Sequence, residues 1–333
     1  MTPKVSILVP VYGVAQFIER CAISLFEQTF VDIEYIFIND CTPDNSITIL
    51  ERVITRYPHR KPKVKIIQHK NNRGLAAARN TGVQNAIGEY ILHVDSDDCL
   101  EVNMVELLYN KAIQEDADLV FCDYILDFKN SSKKVEQVWD SDKQEFIKRI
   151  LSASSAPSIW NKLSKKSLYT DYGIQAIEGI NLGEDFLVVP KLLYHSKKVA
   201  KVSEFLYHYN LTNPNSYTKD YSKKNIDNVI TVLNDLTLFF KKKADYKLYE
   251  TSILQGKLKK KVEFLLNGDK RYWNDLILIF PETNNLEDIS FLCTTEKIGY
   301  FFIKYNLKQT LYFYKWIYRK YIQWIVMKNG NIY

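Results

Sequence analysis

No stretch of the 333 residues is long and apolar enough to cross a bilayer. The opening run MTPKVSILVPVYG is too short and too strand-like for a secretory signal. Only five cysteines occur, Cys21, Cys41, Cys99, Cys122 and Cys293, and none forms a C-x-x-C pair. That spacing argues against a zinc site or a disulfide framework and fits a reducing compartment. No G-x-G-x-x-G follows the first apolar run, and no G-x-x-x-x-G-K-[ST] occurs, so dinucleotide redox chemistry and P-loop phosphoryl transfer lack their usual signatures. G-x-S-x-G, H-E-x-x-H, internal repeats and low-complexity tracts are also missing. A cytoplasmic protein is expected.

What is present is a globular composition, 46% hydrophobic and 25% charged, at a length suited to one large or two ordinary domains. The net charge of +6 is uneven. Residues 223–333 carry 19 Lys and Arg against 11 Asp and Glu, and the residues before them carry 26 against 28. Two modules are expected, with a boundary near residue 220.

The first part alternates strands and helices. KVSILVPV (4–11) reads as a buried strand, residues 15–28 as a helix, IEYIFI (33–38) as a strand, and CTPDNS as a turn into a helix that runs to about Tyr57. KVKIIQH (63–69), residues 74–86, EYILHV (89–94), residues 102–114 and DLVFCDY (118–124) continue the alternation. This pattern predicts an α/β fold with a mostly parallel sheet flanked by helices. Ligands of such sheets bind beyond the carboxyl ends of the strands, where Tyr12, Asp40 and the cluster Asp95, Asp97 and Asp98 fall.

Three carboxylates within four positions repel one another, and each is costly to remove from water. Two explanations are economical: a divalent cation bound by oxygen, or a general acid/base pair. An Asp-rich turn that caps local backbone is the plainer alternative.

VSILVPVYG, IFINDCTPDNS, NNRGLAAARNTGVQNAIGEYILHVDSDD and GINLGEDF resemble, in order and spacing, the family 2 glycosyltransferases with the GT-A fold, of the kind that builds bacterial surface polysaccharide. The resemblance covers about the first 215 residues. It implies a Rossmann-like GT-A domain over 1–220, with the donor site in 1–125 and the acceptor site in about 126–220. A smaller, mainly helical, basic and aromatic region follows over 221–333.

By that resemblance Val11 and Tyr12 border the nucleotide base, Asp40 meets a uracil ring, and Arg79 lies at the nucleotide pocket. Asp95 and Ser96 belong to the donor site. Asp95, Asp97 and Asp98 form the metal cluster, for Mn2+ or Mg2+ on the diphosphate of a UDP-sugar. This chain has Asn39, Asp40, Cys41 and Thr42 where D-D-G-S is frequent. Asp185 would be the general base, with Glu184 beside it orienting the acceptor; as bare sequence, both acids also suit a helix N-terminus.

Trp160 would stack on a sugar or pack in the core, Lys162 would meet phosphate, and His208 would ligate metal or serve the structure. Asn210 stands where relatives often have arginine, which leaves Ser216 and Thr218 as donors to the diphosphate. Cys99 reads as a packing residue.

In the last segment, Lys304, Lys308, Lys315 and Arg319 share one helical face within about a sixth of a turn. Phe313, Ile317, Tyr321, Trp324 and Ile325 lie opposite. Such a helix suits an anionic membrane surface or packs on the catalytic domain. The resemblance implies a polyprenyl-diphosphate-linked glycan acceptor on the inner membrane face. Nucleic acid is not expected, and a homodimer is open. Two other functions fit the same carboxylates: a sugar nucleotidyltransferase, and a non-catalytic nucleotide- or carbohydrate-binding subunit.

Overall fold

A computed structural model describes residues 2–214 and 221–305, together with 307, 310 and 314. The chain divides into two compact units, one of residues 1–150 and 155–218, the other of residues 151–154 and 219–333.

The first unit is built on β1 (Val5–Val11), α1 (Ile18–Phe26), β2 (Ile33–Asn39), α2 (Ser46–Arg56), β3 (Val64–Gln68), α3 (Leu75–Asn85) and β4 (Tyr90–His93). It continues through β5 (Cys99–Leu100), α4 (Met104–Glu115), β6 (Leu119–Asp127), β7 (Ser132–Val135), α5 (Lys143–Leu151), β8 (Lys162–Lys165), α6 (Lys166–Thr170), α7 (Glu184–His195) and β9 (Val199–Asn210).

Among the described residues these strands form one sheet in the order β3-β2-β1-β4-β8-β6-β9-β5, with β7 on β6. β1 is apolar on both faces except at Ser6, and all seven of its residues are buried, as a central strand covered by helices on both sides requires. It pairs parallel with β2 and β4, and β2 pairs parallel with β3. Within the parallel block the central strands β1, β2 and β4 carry the buried apolar runs, and the edge strand β3 leaves Lys65 and Gln68 exposed. Beyond β4 the sheet is mixed: β8 runs antiparallel to β4 and β6, while β6 and β9 are parallel.

The parallel register matters for function. Val11 lies opposite Asn39, and Asn39 opposite Gln68. Tyr12, Asp40 and His69, each one residue later, thus emerge along one edge. β4 stops at His93, and the acidic turn follows beyond the same edge.

The second unit contains α8 (Lys223–Lys241), α9 (Glu250–Asn267), α10 (Trp273–Leu278) and α11 (Thr294–Lys304). Ser222 caps α8 by accepting from the Asn225 N–H. Val229, Val232, Leu233 and Leu236 put a buried stripe on it at helical spacing.

The Lys-rich run 257–261 is not one basic surface. Lys257 pairs with Glu282 at 2.7 Å. Lys261 is fully buried and donates to the Ile277 and Ile279 carbonyls and to Asn284 Oδ1 at 2.6–2.7 Å. Burial pulls its pKa down to about 8. Among the described residues no helix is long and apolar enough to cross a membrane. Of the basic and aromatic stripe expected near the C-terminus, Lys304 ends α11, and the positions from Lys308 to Ile325 lie outside the described residues, as do Ser216 and Thr218.

Candidate active site

The turns after β1 and β2 lock together first. The Gly13 N–H donates to Thr42 Oγ1 at 2.9 Å, Val14 N–H to Ser46 Oγ at 3.2 Å, and Ala15 N–H to Asp44 Oδ2 at 2.9 Å. Val11 is buried, while Tyr12 stands 45% exposed beside this turn, free to present a ring to a planar base. Asp40 is buried and takes on the start of α3. Its Oδ1 accepts from Arg73 N–H at 2.9 Å and meets His69 Nδ1 at 2.6 Å, and its Oδ2 accepts from Gly74 N–H at 2.7 Å. Gly74 sits at φ 88°, left-handed backbone that suits glycine. One Oδ2 lone pair is left for a ligand.

The acidic turn gives its three carboxylates different work. Asp98 is fully buried. Its Oδ2 accepts from Tyr207 OH at 2.6 Å and its Oδ1 from Asn210 N–H at 2.7 Å. Burial pushes its pKa far above the ordinary value, and Asp97 and Asp95 add to the rise. Asp98 therefore builds the turn: it ties residues 95–98 to β9, and its oxygens point at protein donors.

Asp95 and Asp97 remain. The Asp95 side chain is 22% exposed, and Asp97 Oδ2 accepts from Asn213 Nδ2 at 2.7 Å. Burial and then Asp95 push the Asp97 pKa up, the strain a cation between them would relieve. Among the described residues no group of three or more His, Cys, Asp or Glu side chains forms a ready cation cage. Two carboxylates are what Mg2+ or Mn2+ takes when a diphosphate and water complete its shell, and Asp95 and Asp97, less tied to the backbone than Asp98, are the pair that would hold such an ion. Ser96 is buried between them.

Arg79 joins this turn to α7. It rises from α3, buried, and its Nη2 lies 3.1 Å from Asp95 Oδ1 and 3.5 Å from both Glu184 Oε1 and Asp185 Oδ1. Burial pulls the guanidinium pKa down, but Asp95, Asp185 and Glu184 outweigh it and hold it above the ordinary value.

Glu184 and Asp185 open α7 behind Gly183, which has φ 91°. Acids suit a helix N-terminus, yet the Asp185 side chain turns across to accept from Ile159 N–H through Oδ2 at 3.1 Å. Burial, then Asp185, push Glu184 up to about 8, against the pull of Arg79. Burial also raises Asp185, and Arg79 holds it back. The Asp185 side chain keeps 18% of its exposure, while its Oδ1 is buried without a hydrogen-bond partner among the described residues. Oδ2 keeps one lone pair beyond the Ile159 N–H bond.

Other expected residues go elsewhere. Lys162 does not face a phosphate: it is buried, donates to the Ser158 carbonyl at 2.5 Å and to Asn161 Oδ1 at 2.9 Å, and burial pulls its pKa down to about 7. Trp160 is buried between Tyr207 and Tyr209, with centroids 4.3 and 5.3 Å away, and so is a core ring. His208 bonds Glu101 and Asp127 at 2.9 and 3.0 Å, which occupies both nitrogens. Cys99 pairs in the sheet with His208. Asn210 serves the acidic turn, its side chain donating to the Asp97 carbonyl at 3.2 Å.

Four supporting residues gave no signal in the sequence: His69, Tyr207, Asn213 and His93. Tyr207 accepts from Asp95 N–H at 3.2 Å while it donates to Asp98.

Residues 6–168 match the model of the glycosyl transferase family 2. An uncharacterized glycosyltransferase of Bacillus subtilis, EpsJ, is 35% identical over 229 residues, 66% of this chain and 64% of that protein. The chain thus spans just under two thirds of this relative's length. In fold, the chain is similar to residues 1–349 of Staphylococcus aureus TarS in complex with UDP-GlcNAc (TM-score 0.63, 16% identity, 92% of each chain). It is also similar to a mannosyltransferase of Pyrobaculum calidifontis in complex with GDP-Man and Mn2+ (TM-score 0.56, 14% identity, 93% of this chain and 85% of that one). The matched span contains Asp40, Arg79 and the acidic turn, the sheet has the GT-A arrangement of these structures, and residues 6–168 form a family 2 glycosyltransferase domain.

Proposed function

We propose that this protein transfers a sugar from a UDP-sugar to a hydroxyl of a glycan acceptor in polysaccharide synthesis, with inversion at the anomeric carbon. The observation that carries the reading is Arg79, which holds the diphosphate-side carboxylate Asp95 and the base-side pair Glu184 and Asp185 on one guanidinium nitrogen. A binding module has no use for a second, buried acidic pair beside its ligand carboxylates.

Asp185 is the general base. Its proton affinity is raised by burial, and Ile159 N–H fixes the carboxylate plane. Its Oδ2 takes the proton of the acceptor hydroxyl as that oxygen bonds to the anomeric carbon, and the bond from that carbon to the diphosphate oxygen breaks on the opposite face. Glu184, pushed up to about 8, holds its proton over much of the neutral range and orients the acceptor. Tyr12 and Asp40 receive the base, and Asp95 and Asp97 would hold the divalent ion. When bound, that ion offsets charge on the departing diphosphate.

UDP in the complex of the TarS neighbour supports a uridine donor, and Mn2+ in the mannosyltransferase neighbour supports the metal. The acceptor is a glycan, lipid-linked in our reading, met from the cytoplasmic side of the membrane.

Calorimetric titration with UDP and GDP, with and without Mn2+, tests the donor side. UDP binding that needs Mn2+ and is lost in Asp95→Asn/Asp97→Asn is expected; metal-independent binding, or a preference for GDP, refutes it. Asp185→Asn tests the base. It should retain UDP binding and lose about 10²–10⁴ in turnover, whereas unchanged turnover would return the chain to a binding role. Release of pyrophosphate from UTP and a sugar phosphate would mark a nucleotidyltransferase instead.

A further inference from the structure

Behind the two catalytic acids lies a small cavity of about 10 Å³, lined by Arg79, His93, Ile159, Tyr169, Asp185 and neighbouring side chains. That is room for about one water molecule. Three of its walls carry buried polar atoms with no hydrogen-bond partner among the described residues: Arg79 Nε and Nη1, both ring nitrogens of His93, and Asp185 Oδ1. His93 is 1% exposed and Arg79 4%.

Each unsatisfied buried group costs about 1–3 kcal/mol, and five of them around one void is an unusual concentration. Their chemistry is complementary. Arg79 supplies donors, Asp185 Oδ1 an acceptor, and a neutral imidazole one of each. A water molecule can accept from Arg79, donate to Asp185 Oδ1 and donate to the acceptor nitrogen of His93.

We propose that His93 is a positioning residue for Arg79 and Asp185, acting through one water molecule held in this cavity. The reason such a residue is needed lies in Arg79. Its Nη2 faces three carboxylates on one side, and among the described residues none hydrogen-bonds the Nε and Nη1 edge of the guanidinium. Held only on the acidic side, the planar group can swing toward whichever carboxylate is ionised. The water and His93 fix the far edge, which keeps Arg79 shared between Asp95 and the base and sets the Asp185 carboxylate plane from its Oδ1 side. The role rests on the transferase reading above.

Two variants separate positioning from packing. His93→Phe keeps the volume and removes two orphaned polar atoms, so a purely structural role predicts equal or higher stability. His93→Gln keeps one donor and one acceptor. In Mn2+-supported UDP release from a panel of UDP-sugars, His93→Phe is expected to lower kcat about 10–100-fold, the range for outer-shell partners. KM for the donor should stay near wild type and Tm should not fall, while His93→Gln recovers most of kcat. Wild-type kcat in His93→Phe, or equal losses in both variants alongside a fall in Tm, overturns the proposal.

A crystal structure of the wild type gives a readout independent of activity. A water within about 3.2 Å of Arg79, His93 and Asp185 Oδ1 is expected, and a dry cavity overturns the proposal. A water in place with no UDP-sugar turned over supports the bridge and refutes the transferase reading instead.

Discussion

Replacing Arg79 with methionine removes the cation that, among the described residues, Asp95, Glu184 and Asp185 share, and keeps most of the volume. At 3.1 and 3.5 Å each contact with an ionised carboxylate is worth about 5 kcal/mol of Coulomb attraction at an effective dielectric of about 20. Much of that is offset by the cost of burying the guanidinium, so the net loss is the cost of breaking a buried ionic cluster, about 3–5 kcal/mol.

The loss depends on pH, and its sign follows from the acids left behind. Burial already raises the pKa of Glu184, to about 8, and of Asp185, and Arg79 lowers both. Without Arg79 both rise further. A carboxyl whose folded pKa exceeds its unfolded value binds its proton more tightly in the fold, so stability falls as pH rises from the unfolded toward the folded pKa. Arg79→Met should therefore be closest to wild type near pH 5 and lose its 3–5 kcal/mol near pH 8. That is about 6–20 °C in Tm for a unit of this size. Urea denaturation at pH 5, 6, 7 and 8 followed by near-UV dichroism measures it. A loss that is the same at every pH, or below about 1 kcal/mol at pH 8, would refute the shared-cation account.

Asp98→Ala should cost about 2–4 kcal/mol, because it orphans the Tyr207 hydroxyl and the Asn210 N–H. Asp97→Ala should cost little stability and lose Mn2+-dependent UDP binding; the reverse pattern would move the metal to Asp98. Lys162 has a folded pKa lowered to about 7 by burial, so the fold binds its proton less tightly than the unfolded chain does. Stability should rise with pH between about 7 and 10.5, and Lys162→Met should flatten that slope in thermal scans.

Some of the site was legible along the chain because its cause is local. The strands 5–11, 33–39 and 90–93 are largely apolar runs, and a run apolar on both faces has nowhere to go but the middle of a covered sheet, whereas 64–68, with Lys65 and Gln68 exposed, takes the sheet edge. Once the strands are parallel, the residues just past their carboxyl ends must gather at one edge. That brought out Tyr12, Asp40 and the acidic turn without coordinates. Glu184 and Asp185 were visible as acids at a helix start.

The division of labour within the acidic turn was not legible. Asp95, Asp97 and Asp98 look alike in sequence, and only the return of β9, 112 residues after Asp98 at the Asn210 contact, spends one of them on structure. The same holds for Trp160, Lys162 and His208, whose side chains suit a sugar, a phosphate or a metal equally well in the abstract. Their partners come from β6, β9 and the loop before β8, and burial against those partners settled their roles. Local periodicity determined the elements and the edge on which chemistry gathers. Which carboxylate is buried, which is shared with Arg79 and which keeps a lone pair for a ligand depends on donors far away in the chain, and only the folded packing of those donors decided it.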